Sequence, residues 1–144
     1  MTTSTTWFYW ALLSAVFAAL TAIFAKIGIK DVDSDLATLA RTAIILVVLS
    51  VFVGLTGKWA NPFSLSSRTW LFLGLSGLAT GASWVCYFRA LKVGEASKVA
   101  PVDKLSVILV ALFACLFLDE RPTAREWAGI LMVAGGVFVL AFKG

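Results

Sequence analysis

The sequence predicts an all-α integral membrane protein with five transmembrane helices. Hydrophobic residues make up 60% of its 144 positions, and the mean hydropathy is +0.95. Apolar stretches close to bilayer length fall at about 7–27, 36–56, 69–90, 99–118 and 126–142. Each suits a crossing, because about 20 mostly apolar residues in a helix satisfy their own backbone hydrogen bonds across ~30 Å of hydrocarbon. Little chain remains for anything else, so residues 1–144 are read as a single transmembrane domain that works inside or across a membrane.

The first element is Trp7–Ile27. The preceding MTTSTT carries no Lys or Arg, and the stretch exceeds a signal-peptide core, so it is expected to stay in the mature protein. The second, Leu36–Thr56, is followed by GKWANPFSLSSR (57–68), whose Gly, Asn-Pro and Ser content marks a turn. In the third, Thr69–Ala90, Gly74, Gly77 and Gly81 recur at helical spacing, and Gly77-x-x-x-Gly81 allows a second helix to come close. Beside them run Ser76, Thr80, Ser83 and Tyr87, a hydroxyl stripe flanked by Trp84. Each hydroxyl could bond back to its own helix, but four in register favour a wall facing a cavity. Trp84 lies too deep for the interfacial belt that Trp7, Trp10 and Trp70 fit.

Gly94 is expected to close the third helix. Ser97 is then the N-cap of the fourth span, Val99–Leu118, which puts Pro101 in the first turn, where no kink follows. Thr123-Ala-Arg-Glu126 after Pro122 is a capping box opening the fifth span, Glu126–Phe142.

Several function classes drop out. With no histidine, the usual metal and Ser-His sites are absent, so no metal, cofactor or catalytic residue is expected. Gly74-Leu75-Ser76-Gly77 spells a GxSG protease motif, yet no histidine is available to take the serine proton. The net charge of +4 is ordinary for a membrane protein whose loop cations set topology, and implies no nucleic acid. Cys86 and Cys115, in antiparallel spans, are expected ~20 Å apart along the membrane normal at 1.5 Å per residue, too far for a disulfide.

The charges carry the site. Loops and tails hold Lys58, Arg68, Arg121 and Arg125 on one face and Lys30, Lys92, Lys98 and Lys143 on the other, an even tally that leaves orientation undirected. Lys26, Arg41, Arg89 and Lys104 lie inside or at the edge of spans, all in the carboxyl-terminal face's half of the bilayer, together with Asp103. Counting them favours that face as cytoplasmic. Ionisable groups in spans are functional suspects, although Lys26, Arg41 and Arg89 can also snorkel to the headgroups. Asp103 and Lys104 are adjacent, about 100° apart around the helix, and need partners or water. Lys26, Arg41, Thr80, Trp84, Tyr87, Arg89, Asp103 and Lys104 are therefore the candidate pathway residues. Trp84, Tyr87, Asp103 and Lys104 are expected to reach one water-filled space. The excess of cations over one embedded acid points to an anionic or zwitterionic substrate.

Trp84-x-x-Tyr87-Phe88-Arg89-Ala90-Leu91-Lys92-x-Gly94-x-Ala96-Ser97-x-Val99-Ala100-Pro101 is followed by Leu118-Asp119-Glu120-Arg121-Pro122-Thr123, then by Gly129 and Gly135-Gly136. This run resembles the second half of an EamA domain of the drug/metabolite transporter superfamily. The first half fits as well, with Lys26 closing the first span and Arg41 opening the second. Asp103-Lys104-Leu105-Ser106 looks like the short, single-unit bacterial and archaeal branch. The resemblance implies one half-transporter unit, where most relatives fuse two related by inverted symmetry. It also implies a multi-pass protein of a prokaryotic inner membrane. Smaller four-span relatives carry an embedded Glu in the first helix. This first span has no acidic residue, so cationic-drug export by that route is not implied.

The expected function is secondary transport of small metabolites, with proton-coupled export as one mode, by a homodimer with its pathway between subunits. An antiparallel dimer, inserted both ways, would supply the inverted pair. Gly135-Gly136, and Ala111 with Cys115, offer faces for it. The alternatives are a lipid or lipid-linked metabolite flippase and a non-transporting membrane subunit or scaffold. An enzyme is not expected.

Overall fold

The computed structural model describes residues 3–61 and 64–141, with side chains from residue 6 onward. Met1 and Thr2 of the MTTSTT segment, Pro62 of the 57–68 connector, Phe142 at the end of the fifth span and Lys143 of the charge tally lie outside the described residues. The elements are α1 (Thr3–Gly28), α2 (Ser34–Leu55), α3 (Ser67–Val93), α4 (Ala96–Asp103), α5 (Ser106–Phe117) and α6 (Ala124–Ala141), with no strand among the described residues. Taken with α4 and α5 as one crossing, Ala96–Phe117, five segments are long and apolar enough to span a bilayer. The all-helical, five-span expectation holds.

The fourth span departs from its expected form in two ways. Its N-cap position is Glu95, not Ser97, so Pro101 falls in the second turn and not the first. There its missing N–H removes the bond to the Ser97 carbonyl, and its ring crowds the preceding turn. The helix does not stay continuous. Between α4 and α5 the amides of Lys104, Leu105, Val107 and Ile108 bond three residues back, to Pro101, Val102, Lys104 and Leu105 at 2.9–3.1 Å. This is a tightened turn within the span. Gly94 does follow α3, but among the described glycines the positive φ belongs to Gly57, at 65°, beyond α2.

The chain divides into two compact units, Met1–Val93 and Gly94–Gly144. In the first, α1 and α2 each pack on α3. Its buried residues are Ala22 and Ile29 of the α1 end, Thr38 near the start of α2, and Phe88 and Leu91 near the end of α3. The core therefore sits at one end of the bundle, where α1 and α3 finish and α2 begins. Asp33 caps α2 there, its carboxylate accepting from the amides of Asp35 and Leu36 at 2.9 and 3.0 Å. At the other end of α2, a Cβ added at Gly54 would lie 3.0 Å from Nε1 of the exposed Trp59, whose ring would have to shift.

In the second unit, α4 and α5 pack on α6. Ala111 and Ala114 of α5 and Ala134 and Val137 of α6 are buried. Residues this small let helix backbones approach closely. Ala111, expected on a subunit face, is thus already covered within its own chain. α5 ends where Asp119 turns left-handed (φ 53°), a conformation that Asp tolerates better than most residues. The capping box at α6 forms as expected: Glu126 Oε2 accepts from the Thr123 amide (2.6 Å) and hydroxyl (2.9 Å), while the Glu126 amide reaches Thr123 Oγ1 at 3.4 Å. Both ends of the Leu118–Thr123 motif are helix punctuation.

Candidate functional site

Four cations gather at the packed end of the first unit, and three of them hold helices. Lys92 Nζ donates to the carbonyls of Ile29 (2.7 Å), Lys30 (3.1 Å) and Val32 (2.6 Å). An ammonium has three donors, and all three meet carbonyls at the end of α1, where the helix dipole favours a cation. Lys26 of α1 answers in the other direction, donating from Nζ to the Leu91 carbonyl of α3 at 2.5 Å. Arg89 forms a two-pronged pair with Asp35 at the start of α2, Nε to Oδ1 at 2.9 Å and Nη2 to Oδ2 at 2.6 Å. Lys26, Arg89 and Lys92 together tie the end of α3 to the neighbouring ends of α1 and α2.

Arg41 is arranged differently. Its guanidinium lies 4.3 Å from the centre of the Trp84 ring and 5.4 Å from that of Phe88. The two rings are one helical turn apart on α3, so they form a continuous aromatic wall. Tyr87 stands edge-on to Phe88, with ring centres 6.5 Å apart. Arg41 is half-buried, and among the described residues no carboxylate pairs with it. Beside it opens a groove of about 470 Å³ between α1 and α2, floored by Phe88. Thr21, Phe24 and Ala25 line it from α1, and Ala40, Arg41 and Ile44 from α2. Among the described residues, Arg41 is the only ionisable group in that lining.

The lining of that groove includes none of the remaining candidates. Thr80 bonds back to the Ser76 carbonyl at 2.8 Å, the local alternative open to any helical hydroxyl. A Cβ at Gly74, Gly77 or Gly81 would meet nothing within 4 Å among the described residues. In the second unit, Asp103 and Lys104 pair with each other, Nζ to Oδ2 at 3.3 Å, directly at the break between α4 and α5. Cys86 and Cys115 are both free thiols. Among the described residues no cluster of His, Cys, Asp or Glu could hold a metal.

The family model described as the EamA-like transporter family matches residues 5–142. The chain belongs to that family. It is 56% identical over 138 residues to an uncharacterized transporter in the cobO 3′ region of Sinorhizobium sp., covering 96% of this chain and 98% of that protein. To the uncharacterized transporter YvbV of Bacillus subtilis (strain 168) it is 31% identical over 139 residues, 92% of this chain but 44% of YvbV. It is also 31% identical over 84 residues to a probable 4-amino-4-deoxy-L-arabinose-phosphoundecaprenol flippase subunit ArnE of Pseudomonas fluorescens (strain Pf0-1), covering 58% of this chain and 65% of that one. No solved structure matches. The EamA-like relatives are named transporters, and with five apolar spans the chain is a multi-pass membrane protein.

Within this EamA-like chain, sequence reasoning passed over Asp35 and Lys92, which carry the ties around α3. Asp35 falls in the connector before the expected second span, and Lys92 counts only as a loop cation in the charge tally. Their roles were available from topology. Two antiparallel helices joined by a connector place the first turn of α2 opposite the last turns of α3, and so Asp35 opposite Arg89. The local balance of charge also changes, since Asp35 neutralises one of the cations that outnumbered Asp103. Among the described residues, no acid and no carbonyl is hydrogen-bonded to Arg41.

Proposed function

We propose that this protein is a secondary transporter of small anionic or zwitterionic metabolites in the inner membrane of a prokaryote. Its two units act as one EamA-type domain, and its functional form is a homodimer. The observation that carries the reading is Arg41, a cation within a span, stacked on Trp84 and Phe88 and bordering a groove, with no carboxylate partner among the described residues. A charged group at such a depth is costly without compensation, and a transported anion supplies it. Trp84 and Tyr87 belong to the pathway as the wall behind Arg41. Asp103, at the break in the fourth span, is assigned to proton coupling with Lys104 as its partner. Thr80 is assigned to the pathway through its side chain's exposed position, and Lys26 and Arg89 border it as the ties that hold its helices.

The homodimer reading draws on a relative that is itself about one unit long and on open faces. Relatives such as YvbV are more than twice the matched length, whereas the Sinorhizobium relative is covered almost end to end. Gly74, Gly77 and Gly81, and Gly129, Gly135 and Gly136, leave room for a second copy to pack closely. The even loop charge tally favours an antiparallel pair. In a cysteine-free background, single cysteines at Ser66 and at Lys143 that label from both sides of intact cells support this. Labelling of each from one side only retires the antiparallel dimer.

Flux of labelled metabolites into proteoliposomes tests transport itself. Arg41→Gln should lower flux at least about tenfold and Asp103→Asn should uncouple it from the proton gradient, with both variants inserting normally. Normal, gradient-driven flux in both would refute the assignments. The second reading, a flippase for lipid-linked metabolites, draws on the mostly apolar lining of the same groove and on the likeness to ArnE.

A further inference from the structure

We infer that the groove between α1 and α2 binds an amphiphile bearing one anionic group, with that group on Arg41 and the apolar body between the two helices. This deepens the transport reading by naming a substrate class, and rests on it only for the passage across the membrane, not for binding.

Three features select this chemistry. The first is the lining. Apart from Arg41 and the Thr21 hydroxyl, the side chains are apolar: Phe24, Ala25, Ile29, Ile44 and Phe88 among them. A small, strongly hydrated anion such as free phosphate would lose its water there and find few partners in return. An apolar body meets dispersion contacts along the whole groove. The second is charge matching. One guanidinium faces the groove and, among the described residues, no acid neutralises it. A single negative charge balances it, and a dianion would bring an uncompensated charge into the span. The third is geometry. Trp84 engages the face of the guanidinium at 4.3 Å, and stacking on a face leaves the in-plane N–H fork free to hold a carboxylate or phosphate with two bonds.

Access is lateral. Phe24 and Ile44, on opposite walls, stay 65% and 64% exposed, so the groove is open along the side of the helices where a membrane presents acyl chains. Its volume of about 470 Å³ falls in the range of clefts that hold drug-sized molecules, about 300–1,000 Å³. The anionic group could be that of a free amphiphilic carboxylate or that of a lipid phosphate, and the two share the same contacts with Arg41.

The test is binding by the purified full chain in nanodiscs of zwitterionic lipid, read as the change in tryptophan emission that Trp84→Phe removes. Decanoate, decyl methyl phosphate (a phosphodiester with one charge), decanol and acetate are the probes. Decanoate or decyl methyl phosphate should bind at least about tenfold more tightly than decanol at equal membrane loading, and acetate should not bind. The tighter of the two anions identifies the source, carboxylate or lipid phosphate. Arg41→Gln should weaken anion binding at least about tenfold and leave decanol unchanged, with Arg41→Lys in between because it keeps the charge and loses the fork. Ala40→Phe, which fills the groove and leaves Arg41 in place, keeps the test valid if Arg41→Gln does not fold, and should abolish binding of both anions. Decanol binding as well as decanoate, acetate binding at all, or anion binding unchanged in Arg41→Gln or Ala40→Phe would overturn the proposal. Anion binding without flux in proteoliposomes retires transport and leaves this site standing. Flux of a soluble metabolite without decanoate binding does the reverse.

Discussion

Replacing Phe88 by alanine isolates what holds the first unit together in a bilayer. Phe88 is 2% exposed, floors the groove, meets Tyr87 edge-on with ring centres 6.5 Å apart and offers the second ring to Arg41. In water, Phe→Ala in a core costs about 3–5 kcal/mol, part of it lost transfer from solvent. Here that part nearly vanishes, because a phenyl ring leaving the bundle enters lipid as apolar as the core. What remains is packing. A void on the order of 100 Å³ at about 24 cal/mol per Å³ gives roughly 2 kcal/mol if the site does not collapse. The Tyr87 contact adds about 0.5–1.5 kcal/mol and the loss of one cation–ring contact about 0.5–1 kcal/mol. A destabilisation of about 3–4.5 kcal/mol is expected if the site does not collapse, measured by reversible unfolding in mixed micelles titrated with a denaturing detergent. Phe17→Ala is the matched control, since Phe17 is 60% exposed and its ring merely exchanges one apolar surrounding for another. Its cost should stay within about 0.5 kcal/mol. Equal costs at the two positions, or a Phe88→Ala cost below about 0.5 kcal/mol, would refute the packing argument.

Further expectations follow from single contacts. Asp35→Arg and Arg89→Asp should each lower the melting temperature in detergent, and the double swap should recover most of the loss, because the two-pronged pair is regenerated with its ends exchanged; a swap no better than the singles would show that the two do not act as a pair. Gly57→Ala should cost about 1 kcal/mol in the same unfolding assay through its φ of 65°, and Gly57→Asn should cost less. Thr123→Ala removes the hydroxyl of the capping box and should cost about 1 kcal/mol, accompanied by faster amide exchange in the first turn of α6. Pro101→Ala restores an amide that can bond to Ser97, so exchange across residues 101–105 should slow; unchanged exchange would mean that the break at Lys104–Leu105 has another cause.

The parts of the fold that depend on one-dimensional patterns were legible in the sequence. Bilayer-length apolar runs place five spans, and the Thr123–Glu126 box marks the start of the last helix to within a residue. The fourth span was misread for a local reason. Whether Pro101 is harmless depends on where the helix starts, and choosing Ser97 over Glu95 as N-cap moved it by enough to turn an expected straight helix into a broken one. The site was only partly legible, because a cation's role in a membrane depends on its partner, and partners come from other helices. Lys26, Arg41 and Arg89 have the same signature in sequence, an embedded cation near a span end. Only packing separates the two that hold helix ends from the one that borders a groove.

That separation has a physical basis that goes beyond counting charges. A cation in a span can be compensated by backbone carbonyls at a helix end, by a carboxylate, or by aromatic faces. The first two use its hydrogen-bond donors, and the third does not. Lys92 and Lys26 take the first route and Arg89 the second, so each has hydrogen-bond acceptors inside the unit. Arg41 takes the third. Its charge is softened by Trp84 and Phe88 while its donors remain unmatched among the described residues. The groove lies on the seam between α1 and α2, each of which packs on α3. Unmatched donors on a seam of this kind are the arrangement in which an incoming anion gains the most: it completes the hydrogen bonds of a preformed cation and bridges two helices without breaking any ion pair.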